Sequence, residues 1–268
     1  MKCLYINLDS ATDRRQALEA SFAATSPPGW ELVRVPARTP GDVVAVAGAI
    51  KPVEKACFAS HRAALVAGEA EDVFIVEDDT AFSPRVFDLL PRFAASARHF
   101  DVIFTEIMPT DIGSMAGFTR QWPRLAAAGN FLLQDLARVG FYGAGAYYVR
   151  GASRAKLAGL LDTVQPLDRP YDIVLRDFIA QGAIRACVAL PFLTMPAVAA
   201  DASSIQSAET DLREAVTHAF RRLMFADRDL TALRGEVARI DAAHDDEGAR
   251  MFGALMAAMA SGAFPDHW

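Results

Sequence analysis

The strongest constraint on the fold is an alternation, from Lys2 to Leu190, of short apolar segments with stretches whose apolar residues recur at helical spacing. Strands that alternate with helices in this way are typical of a layered α/β domain, in which helices flank a sheet. The predicted strands are Lys2–Leu8, Glu31–Val35, Val73–Val76, Asp101–Ile107, Phe131–Val139, Ala144–Val149 and Ala183–Leu190. The predicted helices lie around Ala17–Phe22 and over Glu54–Ala70, Ser83–Ala97, Gly151–Leu161 and Tyr171–Ala180.

Two parts of the chain depart from this alternation. Pro109–Asn130 contains Gly, Pro, Thr and Met without a period, which predicts a long loop, and a loop of this length inside a domain usually has a function. From Ser207 onward only helical spacing is found, so we predict an α/β domain over 1–205 and an all-helical extension over 206–268. Such an extension more often packs against its own domain, and a homodimer formed through these helices is the alternative.

Composition and charge exclude several classes of partner. Of 268 residues 52% are hydrophobic, which provides a sizeable core and excludes general disorder. With 27 Lys and Arg against 33 Asp and Glu the net charge is −6, so we expect no nucleic-acid partner and at most peripheral contact with a membrane. The N-terminus lacks the form of a signal peptide, and no apolar run is long enough to span a membrane. The cysteines Cys3, Cys57 and Cys187 form neither a disulfide framework nor a zinc pattern, which favours the cytoplasm.

Three adjacent carboxylates follow the apolar strand Val73–Val76 at once: Glu77, Asp78 and Asp79. In an extended chain Glu77 and Asp79 point to one side and Asp78 to the other. Mutual repulsion of the three charges is offset directly by a divalent cation, and the hard cations Mg²⁺ and Mn²⁺ prefer oxygen ligands together with waters and phosphates. The triplet therefore suits an enzyme whose substrate carries a diphosphate. A solvated turn in which Asp79 caps a neighbouring element is the alternative.

Further polar residues follow the first strand or lie within a predicted helix. Asn7 and Asp9 stand at the strand end, where short polar side chains can bind a base or a ribose, and Arg14 can clamp a phosphate. Ser60 and His61 lie in the Ala-rich helix, where the imidazole can bind a ligand hydroxyl or phosphate. The alternatives are a strand end with a helix cap and a surface arginine, and a histidine satisfied at the edge of the core.

Further carboxylates are candidates for a metal ligand or a general base. Asp168 and Asp172 are four residues apart and share a face if both lie on one helix. The alternative explains both as helix-terminal residues, Asp168 as an N-cap and Asp172 as a carboxylate favoured by the helix dipole. Glu106 is a further candidate because it stands near the end of the predicted strand Asp101–Ile107.

Taken together, these clusters resemble the motifs of glycosyltransferase family 25, in the same order and at similar intervals. The family contains lipooligosaccharide galactosyltransferases, which act in lipopolysaccharide biosynthesis, and related collagen galactosyltransferases. The matching segments are INLD (Ile6–Asp9), DRR (Asp13–Arg15), CFASHRAAL (Cys57–Leu65), VEDD (Val76–Asp79), GAGAYYVRGASRAKL (Gly143–Leu157), PLDRPYD (Pro166–Asp172) and SSI (Ser203–Ile205). Each segment is short, but seven in the family's order are far more specific than any one alone.

The resemblance implies a GT-A-like fold, a mixed sheet flanked by helices. It also implies the transfer of a sugar from a UDP-sugar, usually UDP-galactose, to a saccharide such as lipooligosaccharide, with inversion at the anomeric carbon. In such an enzyme Glu77 and Asp79 hold Mn²⁺ or Mg²⁺ against the diphosphate. The residues implied to lie near the bound donor are Asn7, Asp9, Arg14, Ser60, His61 and Asp78.

An inverting transfer needs a base that takes the proton of the acceptor hydroxyl as this hydroxyl attacks. Asp172 is the first candidate, followed by Asp168 and Glu106. The predicted loop Pro109–Asn130 is a candidate lid that closes over the donor and excludes water. Two other functions stay open: an inactive family member that acts as a binding or scaffold protein, and a metal-dependent nucleotidyl or phosphoryl transferase.

Overall fold

A seven-stranded mixed sheet with helices on both faces forms the centre of the computed structural model, which describes residues 1–68, 71–197 and 211–243. The strands are β1 (Lys2–Asn7), β2 (Glu31–Pro36), β3 (Val73–Glu77), β4 (Thr80–Phe82), β5 (Val102–Phe104), β6 (Met108–Pro109), β7 (Leu132–Asp135), β8 (Phe141–Tyr142), β9 (Ala146–Val149), β10 (Ala186–Leu190) and β11 (Thr194–Pro196). The helices are α1 (Thr12–Thr25), α2 (Pro52–Val66), α3 (Val86–Ser96), α4 (Ile112–Ala127), α5 (Gly151–Asp162), α6 (Tyr171–Ala180), α7 (Asp211–Met224) and α8 (Leu230–Ala243), and a 3₁₀ helix spans Pro40–Val43.

The strand order of the large sheet is β2-β1-β3-β9-β5-β10-β7. β1 pairs in parallel with β2 and β3, and β5 pairs in parallel with β10, whereas β9 runs antiparallel between β3 and β5. β7 is antiparallel to β10 at one edge, and two small ribbons, β4 with β11 and β6 with β8, complete the strands. The predicted α/β class, with a mixed sheet flanked by helices, is confirmed.

Alternate side chains of the strands enter two apolar layers, one on each face of the sheet. In β1, Leu4 and Ile6 enter the layer that also contains residues of α2 and α4–α8, and Cys3 and Tyr5 enter the layer shared with α1 and α3. Burial of a large side chain such as Phe104 stabilises the fold by roughly 1.5–3 kcal/mol. The period of two along the strands thus fixes the register of the sheet.

The prediction of a loop over Pro109–Asn130 is wrong, because most of this segment forms the helix α4. Asp111 caps the helix by accepting a hydrogen bond from the Ser114 N–H at 2.7 Å. Two glycines and Pro123 weaken the helical signal, whereas the stabilising contacts come from distant parts of the chain. Phe118 is buried in the core, and the Trp122 indole N–H donates to the Phe225 carbonyl at 3.2 Å.

The helices predicted after Ser207 are present as α7 and α8, and they join the core of the sheet. Phe220, Leu223 and Met224 are buried in the layer that covers α2 and α5. The Phe192 N–H, just after β10, donates to the Met224 carbonyl at 2.8 Å. The predicted boundary at 205/206 and the segment Ser203–Ile205 lie outside the described residues. Among the helices that are described, none is both long enough and apolar enough to cross a membrane.

Candidate functional site

The carboxyl ends of β1, β3 and β5 meet the amino end of β9 at one edge of the sheet, and a cavity of about 460 Å³ opens there. This is the edge at which open α/β sheets bind their ligands. The charged and titratable groups that line the cavity are Glu54, Cys57, His61, Glu77, Asp79, Glu106, Tyr171, Asp172, His218 and Arg221. Acidic groups thus outnumber basic ones among these lining residues, with five carboxyl groups and a single arginine.

The acidic triplet lies where β3 ends, as the sequence predicts. The Glu77 N–H donates to the Gly145 carbonyl at 2.7 Å, which fixes the end of β3 against the residues before β9. Glu77 and Asp79 line the large cavity. Asp78 instead accepts a hydrogen bond from Asn7 Nδ2 at 2.7 Å and lies 3.1 Å from Arg14 Nη2. The same Arg14 nitrogen forms an ion pair with Asp79. Arg14 therefore offsets part of the repulsion within the triplet.

The protonation of the triplet follows from burial and neighbouring charges. Burial, followed by the charge of Glu77, raises the pKa of Asp79 to about 7, against the opposing charge of Arg14. Burial also opposes ionisation of Glu77, but the hydrogen bond with His61 and the charges of His61, Arg221 and Arg14 together outweigh it, so the pKa of Glu77 is lowered. A divalent cation would relieve the repulsion between these two carboxylates.

His61 is held by protein contacts on both ring nitrogens. Nε2 lies 3.2 Å from Glu77 Oε1, and Nδ1 lies 3.0 Å from the hydroxyl of Tyr147. The imidazole also stacks on the ring of Tyr171, with 4.4 Å between the ring centroids. His61 is buried, which fits the alternative of a histidine whose hydrogen bonds are satisfied at the edge of the core. Its ring nevertheless also borders the cavity. The position of the Glu77 carboxylate thus depends on His61.

Glu106 and Arg221 form a buried pair at the back of the cavity. Arg221 Nε lies 3.2 Å from Glu106 Oε2, but the two atoms are not aligned for a hydrogen bond, and neither has another such partner in the described part of the chain. Burial raises the pKa of Glu106, and the charge of Arg221 opposes this shift. Sequence reasoning identified Glu106 but missed Arg221, because nothing in the pattern of α7 indicates which residues its polar side will meet.

Two glycines leave room for this pair. A Cβ on Gly143 would lie 2.2 Å from Arg221 Nη2, and a Cβ on Gly145 would lie 3.1 Å from Glu106 Oε1. Gly143 also has a φ of +87°, a conformation that favours glycine. Glycine at these two positions thus permits the close approach of the Glu106 and Arg221 side chains to the backbone.

The two aspartates of the segment before α6 have separate places. Asp172 lies in the first turn of α6, lines the cavity, and accepts a hydrogen bond from the Gly143 N–H at 2.7 Å. Asp168 is exposed and accepts a hydrogen bond from the Ala49 N–H at 2.8 Å, so it holds the loop before α2. They do not share a helical face, because α6 begins only at Tyr171, after Pro170.

A second cavity, of about 140 Å³, adjoins the first between β1 and α2. Its apolar walls are Ile6, Leu8, Ala37, Val53 and Ala56, and its polar residues include Arg14, Arg38 and Ser60. Ser60 Oγ accepts a hydrogen bond from the Arg38 N–H at 2.8 Å and so shapes the wall. The two cavities share Cys57, His61, Glu77 and Asp79, so the acidic strand end lies at their junction.

Asp9, in contrast, points away from this junction. Its side chain is 87% exposed and accepts a hydrogen bond from Arg34 Nη2 at 2.5 Å. Arg34 also donates to the Asn7 side chain through Nε at 3.0 Å. Asp9 therefore supports Asn7 from outside the two cavities, through Arg34.

Two sets of residues in this region could hold a cation. Glu77 and Asp79 offer carboxylate oxygens, which suit Mg²⁺ or Mn²⁺. Cys57 Sγ, a His61 nitrogen and a Glu77 oxygen all lie within 4.8 Å of one another and offer a mixed donor set. Sequence reasoning did not place Cys57 in the candidate site, although its i, i+4 spacing to His61 on a helix was a usable signal.

Comparison with known proteins gives a similarity of fold only. No protein-family model matches the sequence, and no curated protein matches it. A galactosyltransferase, LgtC, solved with donor and acceptor sugar analogues, is 10% identical with a TM-score of 0.36 over 70% of this chain and 73% of that one. The mannosyltransferase PcManGT from Pyrobaculum calidifontis, solved with GDP-Man and Mn²⁺, is 13% identical with a TM-score of 0.44 over 100% of this chain and 86% of that one. Both are glycosyltransferases, but at this level of similarity neither carries a functional argument.

Proposed function

We propose that the protein is a metal-dependent glycosyltransferase that uses a nucleoside diphosphate sugar as donor. The observation that carries the proposal is the acidic end of β3 at the junction of two cavities of unequal size, the smaller with mainly apolar walls. A sugar nucleotide has the matching form: a flat base, a diphosphate that needs a cation, and a hydroxyl-rich sugar. The base would occupy the smaller cavity and the sugar the larger one.

The donor set at the junction fits Mn²⁺ or Mg²⁺. Two carboxylates that repel one another in the absence of a cation, Glu77 and Asp79, border the place where the diphosphate would lie. When bound, the cation would neutralise the charge that develops on the departing diphosphate. Asn7 and Arg14 hold Asp78 and so keep the turn after β3 in place.

The donor sugar and the acceptor are proposed from the resemblance to glycosyltransferase family 25. We infer UDP-galactose as the donor, a saccharide such as lipooligosaccharide as the acceptor, and transfer with inversion in the cytoplasm. Inversion requires a base across the sugar from the diphosphate. Asp172 is the first candidate because it lines the larger cavity on α6, apart from the triplet on β3. In this role a carboxylate oxygen of Asp172 receives the proton of the acceptor hydroxyl.

Glu106 is the second candidate for the base. Its raised pKa suits proton transfer, but its ion pair with Arg221 and its burial restrict access to an acceptor hydroxyl. Asp168 is excluded from the proposed catalytic set because it is exposed and lines neither of the two cavities.

Release of UDP from UDP-galactose in the presence of Mn²⁺ tests the proposal. Asp79→Asn should abolish release, whereas Asp168→Asn, a matched change at an exposed aspartate, should leave it near the wild-type rate. Release of pyrophosphate instead of UDP would show a nucleotidyl transferase. Absence of any UDP-sugar binding by the wild-type protein with Mn²⁺ would leave the scaffold function instead.

A further inference from the structure

We propose that Cys57, His61 and Glu77 form a binding site for a thiophilic divalent cation, with Zn²⁺ as its representative. Their ligand atoms lie within 4.8 Å of one another, and Cys57 has no place in the proposed transfer reaction. Thiolate, imidazole and carboxylate are the three ligand types of protein zinc sites. This site is distinct from the carboxylate pair Glu77 and Asp79. It shares Glu77 with that pair, but the sulfur of Cys57 and a nitrogen of His61 take the place of Asp79.

The spacing of His61 and Glu77 matches two ligands of a tetrahedral cation, and the Cys57 sulfur lies within 4.8 Å of a His61 nitrogen and a Glu77 oxygen. His61 Nε2 lies 3.2 Å from Glu77 Oε1. Two ligands at 2.0–2.1 Å from a zinc ion and at a tetrahedral angle are about 3.3 Å apart. Cys57 and His61 are placed side by side because they are one turn apart on α2. The fourth ligand position would face the larger cavity, which all three residues line, and a water can fill it.

The ring of His61 is already oriented for metal ligation. Its Nδ1 is bonded to the Tyr147 hydroxyl at 3.0 Å, and that hydroxyl contacts the hydroxyl of Tyr171 at 2.8 Å. A partner on the second ring nitrogen fixes the tautomer and the orientation of a histidine that binds metal. Nε2 is thereby directed toward Glu77, where the cation would lie.

The charges balance when the cation binds. Coordination requires the thiolate and a free lone pair on His61 Nε2, so one proton leaves Cys57 for the solvent, and the proton between Nε2 and Glu77 is replaced by one on Nδ1 that the Tyr147 hydroxyl accepts, with no change in oxidation state. The thiolate and the Glu77 carboxylate together neutralise Zn²⁺. Other carboxylates that line the cavity, among them Glu54 and Asp172, add further attraction for a cation.

A regulatory consequence follows, and it rests on the proposed function. Glu77 belongs to both donor sets, so Zn²⁺ bound to Cys57 and His61 would withdraw one ligand from Mn²⁺ or Mg²⁺. Zn²⁺ should then inhibit transfer in the wild-type protein more strongly than in Cys57→Ser. The binding site itself is independent of this consequence, because it can be loaded without any nucleotide.

Titration of the metal-free 268-residue chain with Co²⁺ tests the site directly. We expect a thiolate-to-cobalt charge-transfer band in the near ultraviolet that saturates at one equivalent and is displaced by Zn²⁺. Cys57→Ser should lose the band and weaken Zn²⁺ binding by more than about tenfold, a loss that even supporting groups of a metal site can cause. Cys187→Ala, at a cysteine in the opposite apolar layer, should keep both the charge-transfer band and the wild-type affinity for Zn²⁺.

The isosteric serine should fold, and Cys57→Ala with a circular dichroism spectrum provides a second variant. Absence of the charge-transfer band in the wild-type protein would overturn the site. So would Zn²⁺ binding that is as tight in Cys57→Ser and Cys57→Ala as in the wild-type protein. Neither result depends on sugar transfer, so failure of this site and failure of the proposed function are distinguishable.

Discussion

At the scale of single residues, the protonation of Asp79 connects the electrostatics of the cavity to cation binding. Burial and the Glu77 charge raise the pKa of Asp79 to about 7, so below that pH a proton occupies the carboxylate and competes with the cation. We therefore predict that the affinity for Mn²⁺ rises between about pH 6 and about pH 8. Calorimetry at the two pH values measures this, and Asp79→Asn should show a weaker, nearly pH-independent affinity. An equal affinity of the wild-type protein at both values would contradict the assignment.

Gly143 allows a second test at this scale. Gly143→Ala places a methyl group where Arg221 Nη2 now lies, and the flexible arginine should move away from Glu106. Its positive φ adds strain of about 1–2 kcal/mol for a residue with a side chain. Gly29→Ala is the matched control, because Gly29 has a φ of +99° but no atom near the added Cβ. Both variants should lose stability in urea, Gly143→Ala more than Gly29→Ala because it also disturbs the buried Glu106–Arg221 pair, and only Gly143→Ala should also lose donor affinity. Equal donor affinity in the two variants would show that the position of Arg221 is irrelevant.

Sequence reasoning located part of the cavity at this scale. Glu77, Asp79 and Asp172 could be predicted because strand ends and helix starts are visible in the local pattern. Arg221 was not, because its approach to Glu106 is decided by how α7 packs on the sheet. Asp168 was a candidate base from its spacing to Asp172, and the local pattern could not show that its side chain is exposed and bonded to the Ala49 N–H.

At the scale of elements, Asp101 joins β5, β10 and α5. Its carboxylate accepts hydrogen bonds from Ser153 Oγ at 2.6 Å, from the Arg185 N–H at 2.8 Å and from Lys156 Nζ at 3.2 Å. Burial alone would raise the pKa of Asp101, but these hydrogen bonds outweigh it and the pKa is lowered. A lowered pKa means that the ionised carboxylate stabilises the folded chain.

Asp101→Asn should therefore destabilise the protein at neutral pH by about 1–3 kcal/mol, the cost of disturbing hydrogen bonds to a charged group. The contribution of Asp101 is fully present above the unfolded value of 3.8 and is lost as the pH falls through the lowered folded value. Urea unfolding of both proteins from neutral to acid pH measures the difference, which should shrink as the pH falls. A difference that is constant or grows in acid would contradict this interpretation.

The elements also show where pattern reasoning fails. Strands such as β1 and β3 were predictable because apolar runs end at polar residues. α4 was not, because Gly113, Gly117 and Pro123 hide its period, and its stability comes from contacts such as that of Trp122 with Phe225. A helix that depends on tertiary packing carries little local signal.

At the scale of the whole molecule, the packing of α7 into the core predicts that the described parts unfold together. Trp30 packs against Phe74 and Phe87 in one apolar layer, whereas Trp122 contacts the segment after α7 on the other face. The fluorescence of Trp30→Phe therefore reports on the face that contains Trp122, and the fluorescence of Trp122→Phe reports on the face that contains Trp30. In each variant the fluorescence and circular dichroism midpoints in urea should coincide. A separate transition in the variant that retains Trp122 would show that the C-terminal helices form an independent unit.

The central claim is that the acidic end of β3 holds a cation against the diphosphate of a sugar nucleotide. Anomalous diffraction from a crystal soaked with Mn²⁺ and UDP-galactose tests it most directly. We predict a manganese peak within coordination distance of carboxylate oxygens of both Glu77 and Asp79, with the uracil in the smaller cavity between β1 and α2. A bound donor whose diphosphate lies away from these carboxylates, or a manganese peak elsewhere, would contradict the claim.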